Sequence, residues 1–189
     1  MDLRTLARAY DRSAAGYDER FREFQRPKYQ TAARLLVGLP PRTGDAEGMV
    51  SRGGGEPALF PGRRCLDAGG GTGLFAEFAP GLRVVVLDAS IEMLRVARAR
   101  GLACVLGDLA APPFPRRSFP LVVSFTAVLG DVPRALRALG DLVAPGGQLV
   151  VSFLADEAPT PEAVARDAGL TLRAGPVPAG QDHLFHATR

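Results

Sequence analysis

The run Asp67-Ala68-Gly69-Gly70-Gly71-Thr72-Gly73 follows the short apolar segment Arg64 to Ala68 and leads into a helical pattern. A strand, a glycine-rich turn and a helix in that order predict a junction built to receive a ligand. Glycines permit positive φ and let a ligand approach the main chain with no Cβ in the way, while the first amides of the helix stay free to donate. A plain strand-to-helix turn has no use for so many glycines, because each costs backbone entropy.

Outward from this run the same alternation continues. Val84 to Leu87 is a β-branched strand pattern ending at Asp88, and between the two strands Leu74 to Ala79 reads as a short helix stopped by Pro80-Gly81. Ser90 is suited to cap a helix that Gly101 would end, which completes a βαβ unit. Ala103 to Leu106, Leu121 to Phe125 and Gln148 to Phe153 read as a third, fourth and fifth strand. Asp131 would cap a helix reaching about Val143, and Thr160 with Pro161 and Gly169 frames another. Leu170 to Arg173 and His183 to Ala187 close the series, the latter as an edge region. The pattern predicts an α/β fold: a Rossmann-like, doubly wound, mostly parallel seven-stranded sheet with helices on both faces and ligands at the carboxyl ends of its strands.

Composition sets three zones. Residues 1–39 form a charged leader with helical spacing and breaks expected near Gly16 and Pro27. Residues 40–62 hold Pro40-Pro41, Gly53-Gly54-Gly55 and Pro61-Gly62 and read as a flexible connector or a lid. Residues 63–189 form the core of what is expected to be one domain. Of 189 residues, 47% are hydrophobic and 23% charged, the balance of a folding chain and not of a disordered one. The formal charge of +3 is spread over arginines mixed with acids, Lys28 being the sole lysine, so no nucleic-acid surface is expected. No apolar run reaches the length of a membrane span, and a cytoplasmic protein is expected. Cys65 and Cys104 each sit inside a strand pattern as small core residues, and no metal site is expected.

The glycine run resembles the first motif of the class I S-adenosylmethionine-dependent methyltransferases, in the small-molecule, type-11-like branch: an acidic residue, Asp67, followed by alternating Gly69, Gly71 and Gly73, with Gly70 between them. The resemblance implies S-adenosylmethionine as cofactor, its methionine part cradled by the loop with Asp67 aiding the cation. Asp88 lies where a carboxylate accepts both ribose hydroxyls of an adenosine. Asp88-Ala89-Ser90-Ile91-Glu92-Met93-Leu94 resembles the family's D-x-S-x-x-M-L run, which implies Ala89 and Met93 beside the cofactor. Gly107-Asp108-Leu109 occupies the place of the family's adenine-binding acid, so Asp108 and Leu109 join the set, as does Ser124 at the end of the fourth strand. Pro113-Phe114 to Ser118-Phe119 and Leu142 to Gly147 resemble two further family segments. In the leader, Ala15-Gly16-Tyr17-Asp18 looks like an element that folds over the cofactor, with Tyr17 as a lid residue or as helix packing.

Two departures stand out. The fourth strand begins Phe119-Pro120 where the family has Phe-Asp, which removes a carboxylate and disturbs pairing. The stretch after that strand holds no histidine, and no catalytic residue is assigned; Asp131, Tyr17, His183 and His186 are the groups to consider as a base. The reading is methyl transfer by in-line displacement to an unidentified small-molecule acceptor. Two alternatives stay open. Gly71, Gly73 and Ala76 also fit the spacing of a nicotinamide-dependent oxidoreductase, and a non-catalytic adenosyl-cofactor-binding protein would carry the same cofactor motifs.

Overall fold

The computed structural model describes residues 3–37 and 62–189. Apart from Gly62, the connector expected over 40–62 lies outside the described residues. Seven strands form one sheet in the order β3-β2-β1-β4-β5-β7-β6. β1 (Arg64–Ala68), β2 (Arg83–Asp88), β3 (Ala103–Leu106), β4 (Phe119–Phe125) and β5 (Val143–Leu154) run parallel, and β7 (Asp182–Thr188) runs antiparallel to both β5 and β6 (Thr171–Ala179). The strand order reverses between β1 and β4, which opens a crevice at their carboxyl ends.

The central strands read as continuous apolar runs because both of their faces are buried. Leu66, Leu87, Val122, Leu149 and Val151 point to the layer formed by α4 (Val132–Leu142) and α5 (Pro161–Ala168), where Leu136, Leu139 and Val164 complete the packing. Cys65, Val86, Leu121, Val123 and Val150 point to the opposite layer, built from α2 (Tyr17–Val37), a 3₁₀ helix at Leu74–Phe78 and α3 (Ile91–Ala99). The expected caps are in place: Ser90, Asp131 and Thr160 accept from the amides of Met93, Arg134 and Ala163.

Three expectations are revised. α1 (Leu3–Ser13) and α2 are separated at Gly16, φ +78°, but α2 runs through Pro27 without a break. An interior proline costs about 3 kcal/mol; burial of Tyr29, Ala32 and Leu36 beyond it offsets that cost. β7 is an inner strand, flanked by β5 and β6, so His186 is buried instead of lying on an edge. β5 begins at Val143, directly after α4, and includes the Gly146-Gly147 turn segment. Pro120 acts as expected, and the β4–β5 register skips between Phe119 and Leu121. No described helix is long and apolar enough to cross a membrane.

Candidate functional site

The glycine loop is shaped by three positive φ angles, +72° at Gly69, +54° at Gly71 and +73° at Gly73. Its first two amides donate to the Leu87 carbonyl, which anchors the loop to the end of β2. Close approach explains the residue type. A Cβ on Gly69 would lie 2.3 Å from the Ala127 methyl, and one on Gly70 would lie 2.5 Å from the Asp67 carboxylate. At Gly71 the nearest obstacle is the Met93 sulfur at 3.8 Å, so this glycine leaves its main chain open to a ligand.

Asp88 organises what faces the loop. Its Oδ2 accepts from the Gly71 amide at 2.8 Å and its Oδ1 from the Ser90 amide at 2.8 Å. A carboxylate has about four acceptor sites, so both oxygens keep capacity for a ligand's hydroxyls. Burial raises the Asp88 pKa, against the lowering effect of these amides. Beneath the loop Asp67 is 2% exposed, and desolvation, with the nearby Asp88 charge second, pushes its pKa up to about 7.

The leader closes the site from above. On α1, Asp11 accepts from the Ser90 hydroxyl at 2.6 Å and from the Glu92 amide at 3.2 Å. On α2, Asp18 accepts from the Thr72 hydroxyl at 2.6 Å and pairs with Arg100. These contacts hold Tyr10 and Tyr17 over the crevice, their ring centroids 6.4 Å apart. Burial first, then the Tyr10 ring, raises the Tyr17 phenol to about 12, so it is protonated at neutral pH and is no base there.

One cleft of about 520 Å³ results, within the range of small-molecule sites. Tyr17, Gly69, Gly71 and Asp88 line it, joined by Ala89, Met93, Asp108 and Leu109. Three residues of the expected set do not. Asp67 lies under the loop, Gly70 sits over the Asp67 carboxylate, and Ser124 is fully buried in β4. Asp131, His183 and His186 also stay off the cleft wall, Asp131 serving as the cap of α4.

Residues 65–147 match the family model described as a methyltransferase domain. That segment carries a methyltransferase domain, the kind its motifs resemble. Over 157 residues it is 33% identical to a malonyl-[acyl-carrier protein] O-methyltransferase of Pectobacterium atrosepticum, a match covering 80% of this chain and 53% of that protein. Over 100 residues it is 41% identical to a demethylmenaquinone methyltransferase of Renibacterium salmoninarum, covering 49% and 41% respectively. The chain spans about half the length of the curated relatives it matches. A solved S-adenosylmethionine-dependent methyltransferase of Thermotoga maritima shares the fold, with a TM-score of 0.65, 18% identity and coverage of 96% of this chain and 98% of that one.

The structure also holds a polar cluster that no sequence motif revealed. The Lys28 ammonium lies 2.8 Å from Asp182 Oδ2 and donates to the Thr126 hydroxyl at 2.5 Å. The hydroxyls of Thr126 and Ser152 donate to the same Asp182 oxygen at 2.5 and 2.6 Å. Lys28 and Asp182 are 5% and 3% exposed, and Lys28, Thr126 and Asp182 line the cleft. Thr126 is also one of two described non-glycine residues with positive φ, at +52°. The only available sequence signal was that a chain of arginines keeps one lysine.

Proposed function

We propose that the cleft binds S-adenosylmethionine and that the protein transfers its methyl group to a small-molecule acceptor. One observation carries this reading: Asp88, hydrogen-bonded to both the glycine loop and the start of α3, faces the same cleft as Asp108 and Met93. In this reading Asp88 accepts the two ribose hydroxyls, and Asp108 takes the adenine amino group with Met93, Ala89 and Leu109 against the ring. The main chain at Gly69 and Gly71 meets the methionine part, Asp67 braces the loop from below, and Tyr17 covers the site. Gly70 and Ser124 support the loop and strand from behind.

The bound cofactor supplies an activated methyl on a sulfonium. What remains for the chain is to orient the acceptor in line with that methyl and to exclude water. The leader helices, fastened through Asp11 and Asp18, serve the second task. A dinucleotide fits less well. The helix after the loop is a five-residue 3₁₀ turn, too short to present the N-terminus that a pyrophosphate needs.

The test is incubation with S-adenosylmethionine carrying a labelled methyl group and a panel of acceptors. Because one relative is named for an acyl-carrier-protein acceptor and another for demethylmenaquinone, the panel includes free and carrier-bound acids as well as amines, phenols and a quinone. Label transfer with equimolar release of S-adenosylhomocysteine is expected for one class. Cofactor binding with no transfer to any class would favour a non-catalytic binder.

A further inference from the structure

The cleft continues beyond the residues assigned to the cofactor. Along α2, Tyr17, Arg20, Phe21, Phe24, Gln25 and Lys28 recur at helical spacing and all face it. Phe21 and Phe24 are 39% and 59% exposed, and Leu129 across the mouth is 48% exposed. So much bare apolar surface in one concavity is expected where a ligand provides the cover. At the inner end of the stripe stands Lys28.

The chemistry of that end is specific. Lys28 has three N–H bonds; among the described residues Asp182 and Thr126 take two, and the third has no protein partner. Three donors converge on Asp182 Oδ2, which draws its charge into the network. Arg20 donates only to the main-chain carbonyls of Gly16, Ser13 and Ala15 and has no carboxylate partner among the described residues. Arg20, two turns nearer the start of α2, is a second cation lining the same cleft. Gly69 packs on Ala127, next to Thr126, so the polar end adjoins the glycine loop. No histidine lines the cleft.

We propose that Lys28, braced by Asp182 and Thr126, is a carboxylate seat, and that the acceptor is an acid with an apolar body lying along Phe21, Phe24 and Leu129. This rests on the methyltransferase reading. A carboxylate acceptor needs no base. One of its oxygens forms the bond to the methyl carbon as the carbon–sulfur bond breaks, the bonding pair leaves on sulfur, and the products are a methyl ester and S-adenosylhomocysteine. A cleft with no histidine and a protonated Tyr17 suits that reaction. The same seat would also fit the carboxylate of the cofactor's own methionine, and the experiment separates the two sources.

Octanoate is titrated into protein saturated with S-adenosylhomocysteine, with octylamine and methyl octanoate as controls. S-adenosylhomocysteine and methylthioadenosine, which lacks the amino-acid part, are titrated into the free protein. Each series is repeated on Lys28→Met, on the charge-neutral pair Lys28→Met/Asp182→Asn and on Arg20→Gln, with circular dichroism to confirm folding. Octanoate is expected to bind while the two controls do not, at least tenfold more weakly in both Lys28 variants and severalfold more weakly in Arg20→Gln, with S-adenosylhomocysteine affinity changed less than threefold. If S-adenosylhomocysteine falls to the affinity of methylthioadenosine in the Lys28 variants, the seat belongs to the cofactor and the acid acceptor is overturned. Tight S-adenosylhomocysteine binding with no octanoate binding overturns it as well. Failure of S-adenosylhomocysteine to bind the unaltered protein would strike the cofactor reading itself.

Discussion

The two ends of the cleft are built in opposite ways. The cofactor end is assembled from short contiguous runs: the loop at 67–73, the junction at 88–93 and the turn at 107–109. Each is placed by the strand that precedes it. The Lys28 end draws on α2, the end of β4, β5 and the β7 hairpin, which meet only when the sheet is complete. Local chemistry specifies the first end, and tertiary burial specifies the second. The two should therefore fail separately.

The largest separation is expected from Gly69→Ala. A Cβ there meets the Ala127 methyl at 2.3 Å from a backbone at φ +72°, so the loop must distort. Strain and overpacking of about 2–4 kcal/mol should lower S-adenosylhomocysteine affinity about a hundredfold. The Lys28–Asp182 pair should remain intact. Gly71→Ala, whose Cβ meets nothing nearer than 3.8 Å, should disturb the loop less, but from a backbone at φ +54° it stands where the ligand meets the main chain and should also weaken S-adenosylhomocysteine in the same titration.

Lys28→Met is the converse. Removing one partner of a buried ion pair destabilises by about 3–5 kcal/mol, read as a lower midpoint in urea unfolding, with cofactor affinity changed little. Adding Asp182→Asn should recover most of the loss. If either variant damages both ends equally, the division between them is wrong.

This division also explains what could be read in the chain. That the glycine loop, Asp88, Met93 and Asp108 share one cleft was legible because clustered glycines mark an open main chain at a strand end, and because strand ends can be counted from hydrophobic runs. The fold followed from the same runs, with caps at Ser90, Asp131 and Thr160 marking the helices. Lys28, Thr126 and Asp182 were not legible, since their meaning lies in a contact between positions 28 and 182 that no periodicity encodes. Pro27 misled for a related reason: local propensity predicted a break, and packing of Tyr29 and Leu36 prevailed. The histidines of β7 were misplaced because strand order, unlike strand identity, leaves no local trace.

A smaller effect sharpens the cofactor end through pH. The native state holds a proton on Asp67 up to about pH 7, whereas the unfolded chain releases it in the ordinary carboxylate range. The unfolded state therefore binds fewer protons in that window, and stability falls as pH rises through it, by at most about 1.4 kcal/mol per pH unit from this group. Unfolding of Asp67→Asn from pH 5 to 8 should show a flatter profile. An unchanged slope would assign the dependence to other groups.

The smallest expected effect concerns the leader's attachment. Asp11→Ala removes the acceptor for Ser90 and Glu92, and a lost hydrogen bond of about 1 kcal/mol corresponds to about fivefold in cofactor affinity. Amide exchange over 3–13 should quicken while the sheet is unaffected.

The most direct measurement is calorimetric titration with S-adenosylmethionine, S-adenosylhomocysteine and NAD, repeated on Asp88→Ala. Both sulfur ligands should bind and NAD should not. Loss of two charge-assisted hydrogen bonds, about 1.5–3 kcal/mol each, should weaken both by about a hundredfold or more in the variant. Binding of NAD alone, or sulfur ligands indifferent to Asp88, would contradict the assignment of this cleft to S-adenosylmethionine.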